Sequence, residues 1–121
     1  MKMHVTHSGD IVILKLADDL VLGDGDEAFK EAVDELLAEG WRRIVVDLER
    51  VGRLDSSGTG ELVAAWKLAR RVEAEIHFVR PSERVKRTLH TSQLLPLLPM
   101  FDHLDEAVTS FPALEAARKP D

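Results

Sequence analysis

Asp55-Ser56-Ser57-Gly58-Thr59-Gly60 separates an apolar segment at residues 44–48 from an amphipathic segment at residues 61–73. The first segment predicts a strand and the second a helix, so the six-residue run is expected at a strand-to-helix turn. The first N–H groups of a helix have no partner within it, and the helix dipole favours negative charge there. We therefore expect an exposed turn of small residues that tolerates a phosphoryl group on one of its hydroxyls.

Apolar segments of strand length alternate with amphipathic segments along the whole chain. Strands are predicted at residues 2–6, 11–16, 44–48, 75–79 and 98–101, and helices over the apolar residues of 28–37, 61–73, 85–89 and 104–111. Ser82 and Asp102 are the predicted N-caps of the last two helices, and Gly40 is expected to end the first. This alternation predicts a single α/β domain over residues 1–112, with a mostly parallel sheet of four or five strands and about four helices around it. Residues 113–121 are expected to form a flexible tail.

Two polar loops follow neighbouring strands of the predicted sheet. The loop Gly23-Asp24-Gly25-Asp26 comes after the strand at 11–16, and the serine turn comes after the next strand. The carboxyl ends of parallel strands lie at one edge of a sheet, where such folds place their binding sites. The glycines of the serine turn also let another backbone approach closely. The predicted partner-binding patch therefore consists of Gly23, Asp24, Gly25, Asp26, Asp55, Ser57, Gly58, Thr59 and Gly60.

Composition excludes several classes of function. The chain has 121 residues, 45% of them hydrophobic, no cysteine and a formal net charge of −6. A net negative charge disfavours nucleic acid as a partner, because phosphate binding requires concentrated Lys and Arg. No apolar run has the length of a membrane span, and the N-terminus lacks the apolar core of a signal peptide. We therefore expect a cytoplasmic protein that does not insert into membranes.

No arrangement of residues in the sequence predicts catalysis. A nucleophilic serine needs a general base, usually histidine, within hydrogen-bond reach, and the histidines at positions 4, 7, 77, 90 and 103 are scattered. The turn matches neither the Gly-x-Ser-x-Gly elbow of hydrolases nor a nucleotide-binding loop. The sequence thus predicts a protein that is not an enzyme, with no metal site and no cofactor, and a hydroxyl that another protein modifies.

The turn and its surroundings resemble the signature of STAS-domain anti-sigma-factor antagonists. The resemblance extends from about Val12 to Phe111 and rests on Arg43–Leu48, Val51, Asp55–Leu62, Ser82–Leu89 and Leu98–Ala107. It implies a four- or five-stranded sheet surrounded by helices. It also implies that Ser56 is a regulatory serine, phosphorylated by a partner-switching anti-sigma serine kinase of the histidine-kinase-like ATPase fold. A serine phosphatase is a further implied partner.

The chain departs from the family pattern at several places. Ala17-Asp18-Asp19-Leu20-Val21 stands where family members commonly carry a Gly-x-Leu-Asp-like run, and the loop after it is longer. Arg53-Leu54 replaces the usual aromatic–apolar pair, and Pro96 is unusual. The identity of the kinase partner is therefore less strongly implied than the fold.

The leading hypothesis is a two-state switch. Unmodified Ser56 docks on the anti-sigma kinase, which releases a sigma factor; a phosphate on Ser56 adds negative charge that the interface does not accept. Asp55 is expected to orient the Ser56 hydroxyl. Ser57 and Thr59 are expected to be helix caps, with the alternative that they accept the phosphate instead.

Two alternatives remain open from the sequence. One is a non-switching STAS scaffold subunit of a transport ATPase or signalling assembly, in which a helix face binds the partner. The exposure of Trp66 tests this alternative. Its helical spacing with the other apolar residues of the segment predicts a core residue, and these are Leu62, Ala65, Ala69 and Val72. An exposed Trp66 beside the turn would instead anchor a partner. The other is a small hydrolase that uses Ser56, which requires a histidine beside it.

Overall fold

Five strands form one mixed sheet in the order of the chain, β1-β2-β3-β4-β5. The computed structural model describes residues 1–23 and 25–111. β1 and β2 are antiparallel, and the remaining neighbours are parallel. The elements are β1 Met3–Ser8, β2 Ile11–Leu16, α1 Asp26–Ala38, β3 Arg43–Asp47, α2 Ser56–Arg71, β4 Glu75–Val79, α3 Glu83–Thr91, β5 Met100–Phe101 and α4 Leu104–Thr109. The predicted α/β class, with a mostly parallel sheet and four helices, is confirmed. The predicted tail at 113–121 lies outside the described residues, as does Asp24.

Several predicted boundaries were wrong. α2 begins at Ser56 rather than Glu61, because the Asp55 side chain caps the helix and draws the whole serine turn into its first turns. α4 begins after His103, which makes no side-chain cap bond. The predicted cap, Asp102, instead forms an ion pair with Lys86 at 2.8 Å. β5 is only two residues long.

The two faces of the sheet pack against different helices. Side chains alternate along each strand, so Ile44 and Val46 of β3 join the larger core while Val45 joins the smaller one. The larger core also contains residues of α1, α2 and α3, and the smaller one contains Ala107 of α4. Each fully buried aliphatic or aromatic side chain contributes about 1.5–3 kcal/mol of transfer free energy. The serine turn follows β3 and therefore lies at the carboxyl edge of the parallel strands.

The predicted apolar face of α2 is largely confirmed. Leu62, Ala65 and Ala69 are buried, whereas Val72 is 43% exposed because it lies beyond the last helical residue. Trp66 is partly buried and packs against the larger core, with the Arg70 guanidinium 5.3 Å from its ring centroid. Trp66 therefore contributes to packing, close to its interpretation as a core residue.

Candidate functional site

Asp55 joins the two loops that were predicted to be neighbours. Its Oδ1 accepts a hydrogen bond from the Gly58 amide at 2.8 Å, which caps α2. Its Oδ2 accepts from the Leu22 amide at 2.9 Å, in the loop that follows β2. A parallel bridge between Leu20 and Leu54 holds the same two segments together. The predicted adjacency of the two loops is thus confirmed, with Asp55 as one of the groups that link them.

Gly58 and Gly60 differ in what surrounds them. A Cβ on Gly58 would lie 1.9 Å from the carbonyl oxygen of Leu20, so only glycine allows this backbone approach. A Cβ on Gly60 would meet nothing within 4 Å. Close approach is therefore confirmed at Gly58, while the expectation of a close neighbour at Gly60 was wrong for the described residues. Gly60 leaves a bare, exposed backbone on α2, one turn after Ser56.

Asp26 links the first turn of α1 to the first turn of α2. Its side chain is only 6% exposed, and its Oδ2 accepts a hydrogen bond from the Ser57 hydroxyl at 2.9 Å. Its Oδ1 accepts from the amides of Gly23 and Glu27 at 3.1 and 2.9 Å. Gly25 precedes α1 with φ of 103°, a conformation that favours glycine. The chain therefore places a carboxylate at the start of each helix, Asp26 on α1 and Asp55 on α2.

The three hydroxyls of the serine turn lie in different environments. Ser56 is exposed, Ser57 donates to Asp26, and Thr59 is 5% exposed with its Oγ1 enclosed and without a hydrogen-bond partner among the described residues. The expected capping roles of Ser57 and Thr59 were wrong, because Asp55 supplies the cap. Both Asp55 oxygens accept from backbone amides, and among the described residues no hydrogen bond joins this carboxylate to the Ser56 hydroxyl. Ser56 is thus the hydroxyl of the turn that a second protein can reach.

Hydrogen bonds lower the pKa of both carboxylates. For Asp26 the largest cause is the Ser57 hydroxyl, followed by the opposing effect of desolvation and then by backbone amides. For Asp55 the largest cause is the Leu22 amide, and the Gly58 amide adds to it. Donors that point at a carboxylate stabilise its charged form. Both groups are therefore ionised at neutral pH, and the site is already negative before any modification.

Acid should weaken the folded state through these two carboxylates. A folded-state pKa below the ordinary 3.8 gives stability that is present above pH 3.8 and is lost as the pH falls through the folded pKa. We expect Ser57→Ala to raise the pKa of Asp26 towards 3.8, because it removes the largest cause of the shift. NMR titration of the Asp26 carboxyl carbon measures this, with Ser56→Ala as the matched control. An unchanged Asp26 pKa in Ser57→Ala would contradict the assignment.

Asp18 and Asp19 each accept hydrogen bonds from backbone amides. Asp19 Oδ1 accepts from the amides of Gly52 and Arg53 at 3.1 and 3.0 Å, just before the serine turn. Asp18 Oδ2 accepts from the Lys2 amide at 2.8 Å. Sequence reasoning missed both roles. The available signal was the pair of short carboxylates directly after a strand, since Asp commonly accepts backbone hydrogen bonds in turns.

The structure gives no support to a serine hydrolase. His77 lies on the face of the sheet that α4 covers, opposite α2, with its ring 3.9 Å from that of Phe111. Its Nδ1 is 2.6 Å from the Ser110 hydroxyl, and burial lowers its pKa. His7 lies against Trp41, 5.8 Å between ring centroids. Within residues 1–23 and 25–111, no group of three or more His, Cys, Asp or Glu is placed to hold a metal ion.

None of the described helices is long and apolar enough to cross a membrane.

Comparison with known proteins gives a consistent result. The family profile described as STAS domain matches residues 2–107. A Thermotoga neapolitana protein, named as a candidate anti-sigma factor antagonist, is 30% identical over 99 residues, which are 82% of this chain and 88% of the relative.

Two solved structures share the fold. The crystal structure of a candidate anti-sigma factor antagonist from Thermotoga maritima has a TM-score of 0.81 at 28% identity, covering 88% of this chain and 92% of that one. The Bacillus cell fate determinant SpoIIAA in its phosphorylated form has a TM-score of 0.66 at 19% identity, covering 89% and 97%. The names of these relatives describe a regulatory role, antagonism of an anti-sigma factor, and not a catalytic one. The matched profile and the relative at 30% identity show that the chain belongs to the STAS domain family.

Proposed function

We propose that this protein is an anti-sigma factor antagonist that changes partners when Ser56 is phosphorylated. The observation that carries the proposal is the position of Ser56, an exposed residue in the first turn of α2 at the carboxyl edge of the parallel strands. The names of the relatives support the general function. The switching step and its kinase are our extension of it.

In the unmodified form, the surface around Ser56 binds an anti-sigma serine kinase of the histidine-kinase-like ATPase fold, and a sigma factor is released. The exposed residues Ser56, Gly60 and Gly23 are proposed to contact the kinase directly. The buried residues Gly58, Thr59 and Asp26 contribute by shaping that surface. Asp55, Ser57 and Gly25 hold the two loops together beneath it, and Asp24 completes the proposed patch from outside the described residues.

Phosphorylation then reverses the preference for the kinase. The Ser56 hydroxyl oxygen forms a bond to the γ-phosphorus of ATP, the bond to the bridging oxygen breaks, ADP leaves, and the hydroxyl proton passes to a base on the kinase. The phosphate carries about −1.5 to −2 charges at neutral pH. Asp26 and Asp55 already occupy the two helix starts, so the added charge meets two carboxylates rather than unoccupied helix amides. Because Ser56 points outward, the fold can retain its packing while the interface loses complementarity.

A serine phosphatase resets the switch by hydrolysing the phosphoserine. The fraction of the protein that is phosphorylated therefore depends on the relative activities of the kinase and the phosphatase. The proposal thus places the protein between a kinase and a phosphatase, with no catalysis of its own.

Mapping the phosphorylated residue tests the proposal. Incubation with the cognate kinase and ATP should add one phosphate to the wild-type protein and none to Ser56→Ala, measured by intact mass and peptide sequencing. Ser57→Ala is the matched control and should still accept the phosphate, because the Ser57 hydroxyl is engaged by Asp26. Phosphate that persists in Ser56→Ala would remove Ser56 from the proposed role.

A further inference from the structure

The outer edge of β1 carries no feature that prevents another strand from pairing with it. β1 is at the end of the sheet formed by the described residues, and five of its six residues are exposed. Edge strands are usually protected by Lys, other charged residues, proline or a bulge. Met3–Ser8 contains no proline and no Lys, Arg, Asp or Glu, and it pairs with β2 in an unbroken register. Among residues 1–23 and 25–111, no strand pairs with this outer edge.

The register with β2 determines which backbone groups point outward. The Ala17 amide donates to the Lys2 carbonyl at 2.9 Å, so residues 2 and 17 form a hydrogen-bonded pair. In an antiparallel ladder such pairs alternate with pairs that make no bond. Lys2, His4 and Thr6 thus direct their backbone groups towards β2. Met3, Val5 and His7 direct theirs towards the free edge.

One two-fold arrangement uses all three outward-facing residues. If Val5 pairs with Val5 of a second copy, then Met3 of each copy pairs with His7 of the other. Val5 is 56% exposed in the single chain and would be covered by its own equivalent. The same register brings Lys2 of each copy to Ser8 of the other, beside the hairpin turn that contains Asp10. Both Lys2 and Asp10 are exposed, and Asp10 Oδ1 already lies 3.6 Å from a guanidinium nitrogen of Arg43 on β3, so Lys2 of the second copy would join an existing ion pair at each end of the paired strands.

We propose that β1 is a self-association surface, occupied by β1 of a second copy in an antiparallel pair centred on Val5. The product is a continuous ten-stranded sheet. The strands of the two copies run in opposite directions, so the two edges that carry Ser56 face away from each other. Self-association through β1 is therefore independent of the kinase contact, and either proposal can fail without the other.

A single engineered cysteine tests the register. The chain has no cysteine, so Val5→Cys can form a disulfide only between copies. A hydrogen-bonded antiparallel pair has its α-carbons about 5.5 Å apart, within the range that a disulfide spans. Thr6→Cys is the control: Thr6 would face His4 of the second copy, which leaves the two Thr6 α-carbons about 8 Å apart and out of range. Mild oxidation should cross-link Val5→Cys and leave Thr6→Cys monomeric on a non-reducing gel.

Sedimentation over a range of concentrations measures the association without a cross-link. We expect a weak dimer in the wild type and at least about a tenfold weaker one for Val5→Lys, because like charges would face each other across the strands. Val72→Lys, which changes another exposed valine away from β1, should associate as the wild type does. Equal cross-linking of the two cysteine variants, or a wild type that stays monomeric, would overturn the proposal. Phosphorylation of Ser56 should be the same in Val5→Lys and wild type.

Discussion

Gly58→Ala should destabilise the protein by about 3 kcal/mol or more, at the upper end of what overpacking causes. The added Cβ would lie 1.9 Å from the Leu20 carbonyl oxygen and 2.8 Å from its carbonyl carbon. Both atoms belong to backbone, so no side-chain rotation relieves the overlap. The segment containing Leu20 and the first turn of α2 must separate, which removes the contact between the two loops. Urea unfolding followed by circular dichroism measures the loss.

Gly60→Ala is the matched control, two residues along the same helix. Its Cβ would meet nothing within 4 Å, and Gly60 has no positive φ. Alanine is a better helix residue than glycine, so we expect Gly60→Ala to stabilise the protein by about 0.5–1 kcal/mol. The two substitutions are chemically identical and should have opposite signs. A Gly58→Ala variant as stable as wild type would show that the loop and helix do not approach as described.

Ser56→Glu should lower the affinity for the anti-sigma kinase by about 10- to 100-fold, a coupling free energy within the usual 1–3 kcal/mol. The added carboxylate would share the site with the carboxylates of Asp26 and Asp55, whose pKa values are already lowered by hydrogen bonds. A partner surface that fits a neutral hydroxyl then loses complementarity. Titration calorimetry with the kinase and a non-hydrolysable ATP analogue measures the change.

Ser56→Gln separates the effect of charge from the effect of size. Gln has nearly the shape of Glu without its charge, so we expect a much smaller loss of affinity. Equal binding by wild type, Gln and Glu variants would instead favour the non-switching scaffold. That outcome would direct attention to a helix face as the binding surface, although Trp66 itself is partly buried and packs on the core.

Most of the fold, namely the order of strands and helices along the chain, was predicted from the alternation of apolar and amphipathic segments. β2 and β4 have the predicted bounds, and the nearly continuous apolar run of β2 is typical of a strand that is covered on both faces. The start of α4 was wrong because a side chain made a contact distant in sequence. Asp102 fits the composition of a helix cap, yet its ion pair with Lys86 left His103 at that position.

Sequence alone determined the parallel order of the central strands, and with it the edge of the sheet at which Ser56 lies, because a strand–helix–strand crossover returns the chain to the same edge. Only the tertiary structure decided what each residue of the turn does. Ser57 donates a hydrogen bond to Asp26, Asp55 accepts one from the Leu22 amide, and Gly58 lies against the Leu20 carbonyl. Each contact joins residues that are 31 or more positions apart in the chain. Such contacts depend on how two loops pack, which local propensity does not specify. Ser56 differs from Ser57 and Thr59 because it is exposed, whereas Ser57 is bonded to Asp26 and Thr59 is buried.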